Sequence, residues 1–214
     1  MSEKQKAELS VWRNYNKIPI ELLKLCLKMY FVRIDSWNKE LSKSIFAINK
    51  LTLSLNRSAT GYPNAFGNVI VRKSEIMEWK FKIPLGDHVA IVFGIIEADK
   101  ARNDIQTDFC SVWGDANYGV GFYTYNGKKY SGTVIQIGHD YAEYSSIKDH
   151  DIVIMTLDLK SEKGKLSFKT GKSNDENNGI LINHGVAFGD IDVDKDYRMG
   201  ICMFSAKYFV EILP

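Results

Sequence analysis

Apolar and polar residues alternate along several short segments of the chain, which is the pattern of a β-strand with one buried and one solvated face. In residues 78–83 tryptophan, phenylalanine and isoleucine alternate with glutamate and lysine, so we expect Trp79 in the core. Residues 89–96 are apolar throughout, which predicts a strand covered on both faces. About ten or more such strands, with no helices alternating between them, predict an all-β, two-sheet antiparallel β-sandwich.

Two hairpins are indicated within this pattern. Residues 151–168 predict a long hairpin with apolar side chains on one face of each arm. Gly164 lies in its loop, where we expect an unusual backbone angle. Asn126 and Gly127 form a strong turn signal between two aromatic-rich strands.

The first 49 residues have a different pattern. Residues 19–31 are rich in leucine and poor in β-branched residues, and Pro19 suits the first helical position, so this segment predicts a helix. Its apolar residues cover more than one stripe, which indicates a helix buried on several sides or held against a partner. We therefore expect an N-terminal extension over residues 1–49 and a sandwich domain over residues 50–214.

Five segments share a further feature, which is their order along the chain: residues 78–83, 118–130, 151–168, 185–188 and 197–204. Taken together they resemble the SPRY domain family, a group of β-sandwich domains. The match spans about residues 50–213, and its strongest part is the hairpin of residues 151–168. The resemblance implies an SPRY-type sandwich without catalytic activity, which binds a protein or peptide and acts as an adaptor or scaffold.

The resemblance also implies two binding residues. In peptide-binding SPRY domains an arginine follows the first core strand and an aromatic residue lies near the end of the penultimate strand, and Arg57 and Phe204 match these positions. An arginine there would donate hydrogen bonds to carbonyl or carboxylate groups of the partner. Tyr62, Trp113 and Tyr125 lie in predicted loops, where rigid aromatic side chains make good binding anchors.

Charge and composition exclude some classes of partner. The net charge of +2 is too small to indicate binding to nucleic acid or to an anionic membrane surface. No apolar run approaches the roughly 20 residues of a membrane-spanning helix, and no apolar region of a secretion signal follows the first residues. Three distant cysteines indicate reduced thiols, so we expect an intracellular, cytoplasmic protein.

No sequence motif indicates catalysis or a cofactor. Residues 190–196 contain four aspartates, but Lys195 stands where a calcium loop needs glycine, so a solvated turn is the favoured interpretation. The four histidines are far apart in sequence, which favours structural roles, although clustering of His139, His150 and Asp151 in the fold stays open. We therefore expect neither a metal nor a cofactor, and no enzyme.

Two other functions remain open beside a protein-binding module. Lectins share the sandwich plan and also use aromatic residues in loops, so glycan binding is one alternative. The other is a substrate adaptor of a ubiquitin ligase, because residues 18–23 resemble the first turns of an F-box, although a helix packed on the main domain is favoured. An enzyme would rest only on histidines and aspartates without an assigned place.

Overall fold

The structure is a computed structural model that describes most of the chain from residue 34 onwards. The described residues contain fourteen β-strands, numbered in chain order. The described ranges are 34–56, 63–85, 89–105, 108–110, 118–131, 138–143, 149–173, 181–203, 205 and 207–214. The strands are β1 (Trp37–Asn38), β2 (Phe46–Asn49), β3 (Thr52–Leu55), β4 (Asn64–Gly67), β5 (Ile76–Lys82), β6 (Ile91–Glu97), β7 (Gly119–Tyr123), β8 (Lys128–Ser131), β9 (His139–Asp140), β10 (Ile152–Asp158), β11 (Gly164–Gly171), β12 (Ile182–Ile191), β13 (Tyr197–Met203) and β14 (Phe209–Leu213).

The strands form two seven-stranded sheets in which every neighbouring pair is antiparallel. Sheet 1 has the order β1-β4-β13-β6-β7-β8-β9, and sheet 2 has the order β12-β11-β10-β5-β14-β3-β2. This architecture confirms the predicted all-β antiparallel sandwich. The predicted helix over residues 19–31 lies outside the described residues. Within the described ranges, no helix is long and apolar enough to cross a membrane.

The main core lies between the two sheets and follows the alternation in the sequence. In β5, Met77, Trp79 and Phe81 are buried while the residues between them are exposed. The predicted hairpin is present as β10 and β11, which pair Met155 with Phe168. Trp79 is 1% exposed, so its predicted place in the core is confirmed.

A second, smaller core covers the outer face of sheet 1. Every residue of β6 from Ile91 to Ile96 is buried, which confirms that this strand is covered on both faces. Its outward side chains pack with Phe66, Phe109 and Cys110. Phe109 lies in the connection between β6 and β7 and is fully buried, and its ring centroid is 6.3 Å from that of Phe66. Apolar residues inside this connection therefore cover the sheet.

Glycines shape two turns, although not in the way predicted for Gly164. Gly127, in the turn between β7 and β8, has a φ of 71°, as the Asn-Gly signal predicts. Gly164 is not among the described residues with positive φ, so the expectation of an unusual backbone angle there was wrong. A Cβ at Gly164 would lie 2.8 Å from Leu159 Cδ2 and 3.0 Å from the Ile191 carbonyl oxygen, so close packing is what requires glycine.

The sheets include strands on the N-terminal side of residue 50, where the sequence had placed an extension. β1 and β2 both precede this position and pair with β4 and β3. Trp37 is buried, and its Nε1 donates a hydrogen bond to the Leu51 carbonyl oxygen at 2.9 Å. The Asp35 carboxylate accepts a 2.9 Å hydrogen bond from Trp79 Nε1 in the core. Residues 34–213 accordingly form one compact unit.

Candidate binding surface

All odd-numbered strands finish at one end of the sandwich. Within each sheet this follows because every hydrogen-bonded pair is antiparallel and joins one odd and one even strand. The same end is shared by both sheets, because only five residues separate Met203, where β13 of sheet 1 ends, from Phe209, where β14 of sheet 2 begins. β3 finishes there at Leu55, β7 at Tyr123 and β13 at Met203. We call it the Tyr125 end, after the exposed tyrosine in the turn between β7 and β8. Connections gathered at one end of a rigid sandwich are a usual place for binding residues.

Tyr125 is supported by a group of other tyrosines. Its side chain is 43% exposed, and its ring centroid lies 5.7 Å from that of the buried Tyr123. Tyr123 contacts Tyr130 in turn at 6.3 Å, and the Tyr130 hydroxyl accepts a 2.8 Å hydrogen bond from Asn126 Nδ2. Burial raises the pKa of the Tyr123 hydroxyl well above its ordinary value, so this group stays neutral. An exposed ring held by buried rings suits an apolar contact with low entropy cost.

The turn itself is fixed to the neighbouring strand by a threonine. The Thr124 hydroxyl donates to the Val89 carbonyl oxygen at 2.6 Å and accepts from the Ile91 amide at 3.2 Å. These bonds join the end of β7 to the start of β6, so Tyr125 projects from a fixed backbone.

Of the five predicted binding residues, only Tyr125 lies within the described ranges. Arg57, Tyr62, Trp113 and Phe204 lie outside the described residues. The prediction for these four positions therefore stays a prediction.

The strand ends that flank three of these positions lie at the Tyr125 end. β3 ends at Leu55, β4 begins at Asn64, and β13 ends at Met203. The pairing of Cys202 with Asn64 brings the last two ends side by side. The sequence positions of Arg57, Tyr62 and Phe204 therefore follow or precede strand ends that are close together.

Trp113 belongs to a connection that starts and finishes elsewhere. The connection between β6 and β7 leaves sheet 1 after Glu97 and returns at Gly119, which pairs with Ile96. Both points lie at the end opposite to Tyr125. The topology thus separates the origin of this connection from the strand ends that flank the other candidates.

A hydrogen-bonded chain of two histidines and a threonine also lies at the Tyr125 end, and the sequence did not single it out. Thr170, near the end of β11, has its Oγ1 2.7 Å from His150 Nδ1 and 2.8 Å from His184 Nε2. The clustering left open from the sequence was different, because His139 is exposed in β9. On β11 every second side chain from Leu166 onwards is buried, and Thr170 belongs to this row. A polar residue at a buried position was the signal that the sequence offered for this site.

Asp151 is buried beside this chain but has another partner. Its carboxylate accepts a 2.7 Å hydrogen bond from the Ser173 amide and a second one from the Ser173 hydroxyl. These bonds fix the start of β10 to the residues that follow β11. The histidine chain has its hydrogen bonds to Thr170 instead.

A tyrosine hydroxyl fills a gap in the pairing of β12 with β11. The register shifts between the Ser167–Val186 and Lys169–Asn183 pairs, and this leaves one more residue on β12 than on β11. The Tyr141 hydroxyl donates to the Gly185 carbonyl oxygen at 2.6 Å and accepts from the Phe168 amide at 3.3 Å. It replaces the missing backbone pair, which is how a β-bulge at an edge strand is satisfied.

The acidic residues that follow β12 form a turn and ion pairs. The aspartates of residues 190–196 take part in a turn, where the Asp192 carboxylate accepts from the Asp194 amide at 3.0 Å. Lys73 and Arg72 form ion pairs with Asp194 and Asp196. In the part of the chain that the structure describes, no group of three or more metal-ligating side chains is gathered.

The described strands define a class of protein, the two-sheet antiparallel β-sandwich with connections at both ends. No protein-family model matches the sequence, and no curated protein gives a significant match. Among solved structures, the chain is similar to the SPRY domain of human HERC1, with a TM-score of 0.54 and 15% identity over 82% of this chain and 96% of that one. It is also similar to the TRIM65 PSpry domain, with a TM-score of 0.56 and 12% identity over 90% of this chain and 99% of that one.

A third similar structure is a human SPRY domain, with a TM-score of 0.54 and 14% identity over 79% of this chain and 94% of that one. Identities at this level show the fold alone. The fold of this chain is that of the SPRY domains, as the resemblance in sequence predicted.

Proposed function

We propose that this protein is a non-enzymatic binding module that holds a protein or peptide partner at the Tyr125 end and acts as an adaptor or scaffold. The observation that supports this proposal most directly is the exposed ring of Tyr125, which rests on the buried Tyr123. Aromatic anchors with fixed positions contribute much of the binding energy in protein interfaces. The partner is intracellular in this proposal, as the reduced cysteines indicate.

The arrangement of the flanking strands supports a shared surface. β3 and β13 finish, and β4 begins, at the end that carries Tyr125. An arginine at position 57 and aromatic residues at positions 62 and 204 would add hydrogen bonds and apolar contact at this end. Trp113 is the weakest of the candidates, because its connection leaves sheet 1 at the other end.

The test is partner capture with the full chain. The tagged protein is purified from its native cells, and co-purifying proteins are identified by mass spectrometry. Tyr125→Ala and Arg57→Ala are each expected to weaken capture by about 1–3 kcal/mol, which is roughly 5- to 150-fold in affinity. Both variants should melt close to the wild-type temperature, since binding residues in loops contribute few core contacts.

Matched controls lie at the opposite end of the sandwich. Ile76 begins β5 there with its side chain 49% exposed, and Arg72 forms a solvent-exposed ion pair with Asp196. Ile76→Ala and Arg72→Ala should leave capture unchanged. If Tyr125→Ala and Arg57→Ala retain every partner that the wild type captures, the proposed surface is wrong. Binding to an array of glycans without any captured protein would favour the lectin alternative instead.

A further inference from the structure

Two histidines from different strands share one hydroxyl group at the Tyr125 end. His150 lies two residues before the start of β10, Thr170 is near the end of β11, and His184 is near the start of β12. Thr170 is 1% exposed, and its Oγ1 lies 2.7 Å from one imidazole nitrogen and 2.8 Å from the other. The three side chains therefore tie the edge strand β12 to β11 and to the start of β10.

The chemistry of a hydroxyl limits how many protons this chain can hold. A threonine hydroxyl has one hydrogen to donate and two lone pairs that accept. With both imidazoles neutral, Thr170 donates to one histidine and accepts from the other. One added proton is still accommodated, because Thr170 can donate to the imidazole that stays neutral. A second proton makes both His150 and His184 donors toward Thr170, so the hydroxyl hydrogen loses its acceptor and two positive charges face the same oxygen.

The groups around His150 shift the pKa of its imidazole in opposite directions. Burial is the main cause that lowers the pKa of His150, and Lys172 after β11 lowers it further, while Asp149 and Asp151 act in the opposite direction. Tyr141 adds no charge, because burial raises the pKa of its hydroxyl to about 12. The environment thus favours the neutral imidazole.

His184 has a similar environment on β12. Burial lowers its pKa first, and the nearby His150 lowers it further. The Lys129 ammonium from β8 approaches the same strand, where it donates to the Ala187 carbonyl oxygen at 2.5 Å. Since both imidazoles have lowered pKa values in the fold, stability is complete above the unfolded histidine pKa and falls as the pH decreases below it.

The strand that this chain holds is also the least regularly paired one in sheet 2. β12 lies at the edge of the sheet, and its pairing with β11 shifts register three times between Gly164 and Lys169. Gly185, next to His184, has a φ of 77°. Edge strands with interrupted ladders open locally at a lower free energy than central strands.

We propose that the His150–Thr170–His184 chain is a pH switch, which holds β12 on β11 while at most one imidazole is protonated and releases this edge when both are. The inference is independent of the proposed partner, because it concerns the pairing of β12 in the protein alone. Release would separate the start of β12 from the end of β11, and both of these strand ends lie at the Tyr125 end.

The test is amide hydrogen exchange of the full chain followed by NMR, corrected for the intrinsic effect of pH. In the wild type, the protection of the Val186 and Phe188 amides should fall by about tenfold or more between about pH 7.5 and pH 5, while that of Met155 in β10 stays within about twofold. His150→Gln and His184→Gln each keep an amide that can bond Thr170 but cannot take a proton. Each variant should abolish the acid-dependent loss of amide protection in β12.

His139→Gln is the matched control, since it removes an exposed histidine from β9 and should leave the acid-dependent loss as in the wild type. Thermal melting at about pH 7.5 checks that each variant folds. If only one of the two glutamine variants folds, that variant is sufficient for the test. The proposal is overturned if wild-type β12 keeps its protection down to about pH 5. It is also overturned if the loss persists in the glutamine variants.

Discussion

Trp79 combines apolar burial with a buried hydrogen bond, so its replacement tests the core most directly. The side chain is 1% exposed, and its Nε1 donates to the Asp35 carboxylate at 2.9 Å. Trp79→Ala should lower the free energy of unfolding by ~3–5 kcal/mol through lost burial and a cavity. Trp79→Phe keeps most of the burial and should therefore cost less than Trp79→Ala, although it removes the indole donor to Asp35. Chemical denaturation measures both, and a Trp79→Ala protein within about 1 kcal/mol of wild type would contradict this packing.

Single residues differ in how far the sequence could predict them. The alternation around Trp79 predicts its burial, because strand side chains point to opposite faces in turn. Its hydrogen-bond partner Asp35 could not be predicted, because the two residues are 44 positions apart in the chain. Asp35 precedes β1 of sheet 1, whereas Trp79 lies in β5 of sheet 2. The same holds for Thr170 and His184, whose contact depends on the register of β11 with β12 rather than on any local pattern.

At the level of strands and turns, Gly164 and Gly189 offer a matched pair of glycines without positive φ. A Cβ at Gly164 would meet the Ile191 Cβ and carbonyl oxygen at 3.0 Å, and these atoms cannot move aside easily. Gly164→Ala should therefore destabilise the protein by ~1–3 kcal/mol. At Gly189 the nearest atom is Val186 Cγ1 at 3.7 Å, so Gly189→Ala should be neutral or stabilise by ~0.4–1 kcal/mol.

Urea denaturation of the two alanine variants gives the comparison. Equal stability of both variants would show that contact with β12 does not require glycine at position 164. A large cost at position 189 alone would contradict the open environment given to that glycine.

Strands with a clear pattern of apolar residues were predicted well. Strands that depend on pairing with their neighbours were not. β5, β6, β10 and β11 follow from the residue pattern alone. β4 (Asn64–Gly67) has no strand pattern in its sequence, although all four of its residues are buried. Its strand state depends on pairing with β13 and β1, and Asn and Gly give no local signal for it. The bulge of β12 at Gly185 likewise depends on the hydroxyl of Tyr141, the residue that follows β9.

Across the whole molecule, the sequence predicted the sandwich, and the structure adds the strands β1 and β2 before the predicted domain boundary at residue 50. Family resemblance suggested Arg57 and Phe204, and the pairing of β13 with β4 gives a physical reason why their flanking strand ends are neighbours. The segment before residue 50 gave no strand signal because β1 has only two residues and β2 only four. Such short strands are stabilised by their partners rather than by intrinsic propensity.

Two truncated chains test where the sandwich begins. A chain of residues 50–214 lacks β1 and β2, the buried side chains of Trp37 and Phe46, and the Asp35 carboxylate that accepts from Trp79. Each large apolar side chain contributes ~1.5–3 kcal/mol when buried, and the total stability of a domain is only ~5–15 kcal/mol.

A chain of residues 34–214 keeps all fourteen described strands. We expect it to unfold at a clearly higher urea concentration than the chain of residues 50–214, which should be unfolded or aggregated at room temperature. Far-ultraviolet circular dichroism during urea titration, with size-exclusion chromatography for aggregation, makes the comparison. If both chains unfold at the same urea concentration, β1 and β2 add no stability and the boundary belongs at residue 50, as the sequence pattern had indicated. If only the longer chain folds cooperatively, the residues before position 50 are part of the sandwich energetically as well as geometrically.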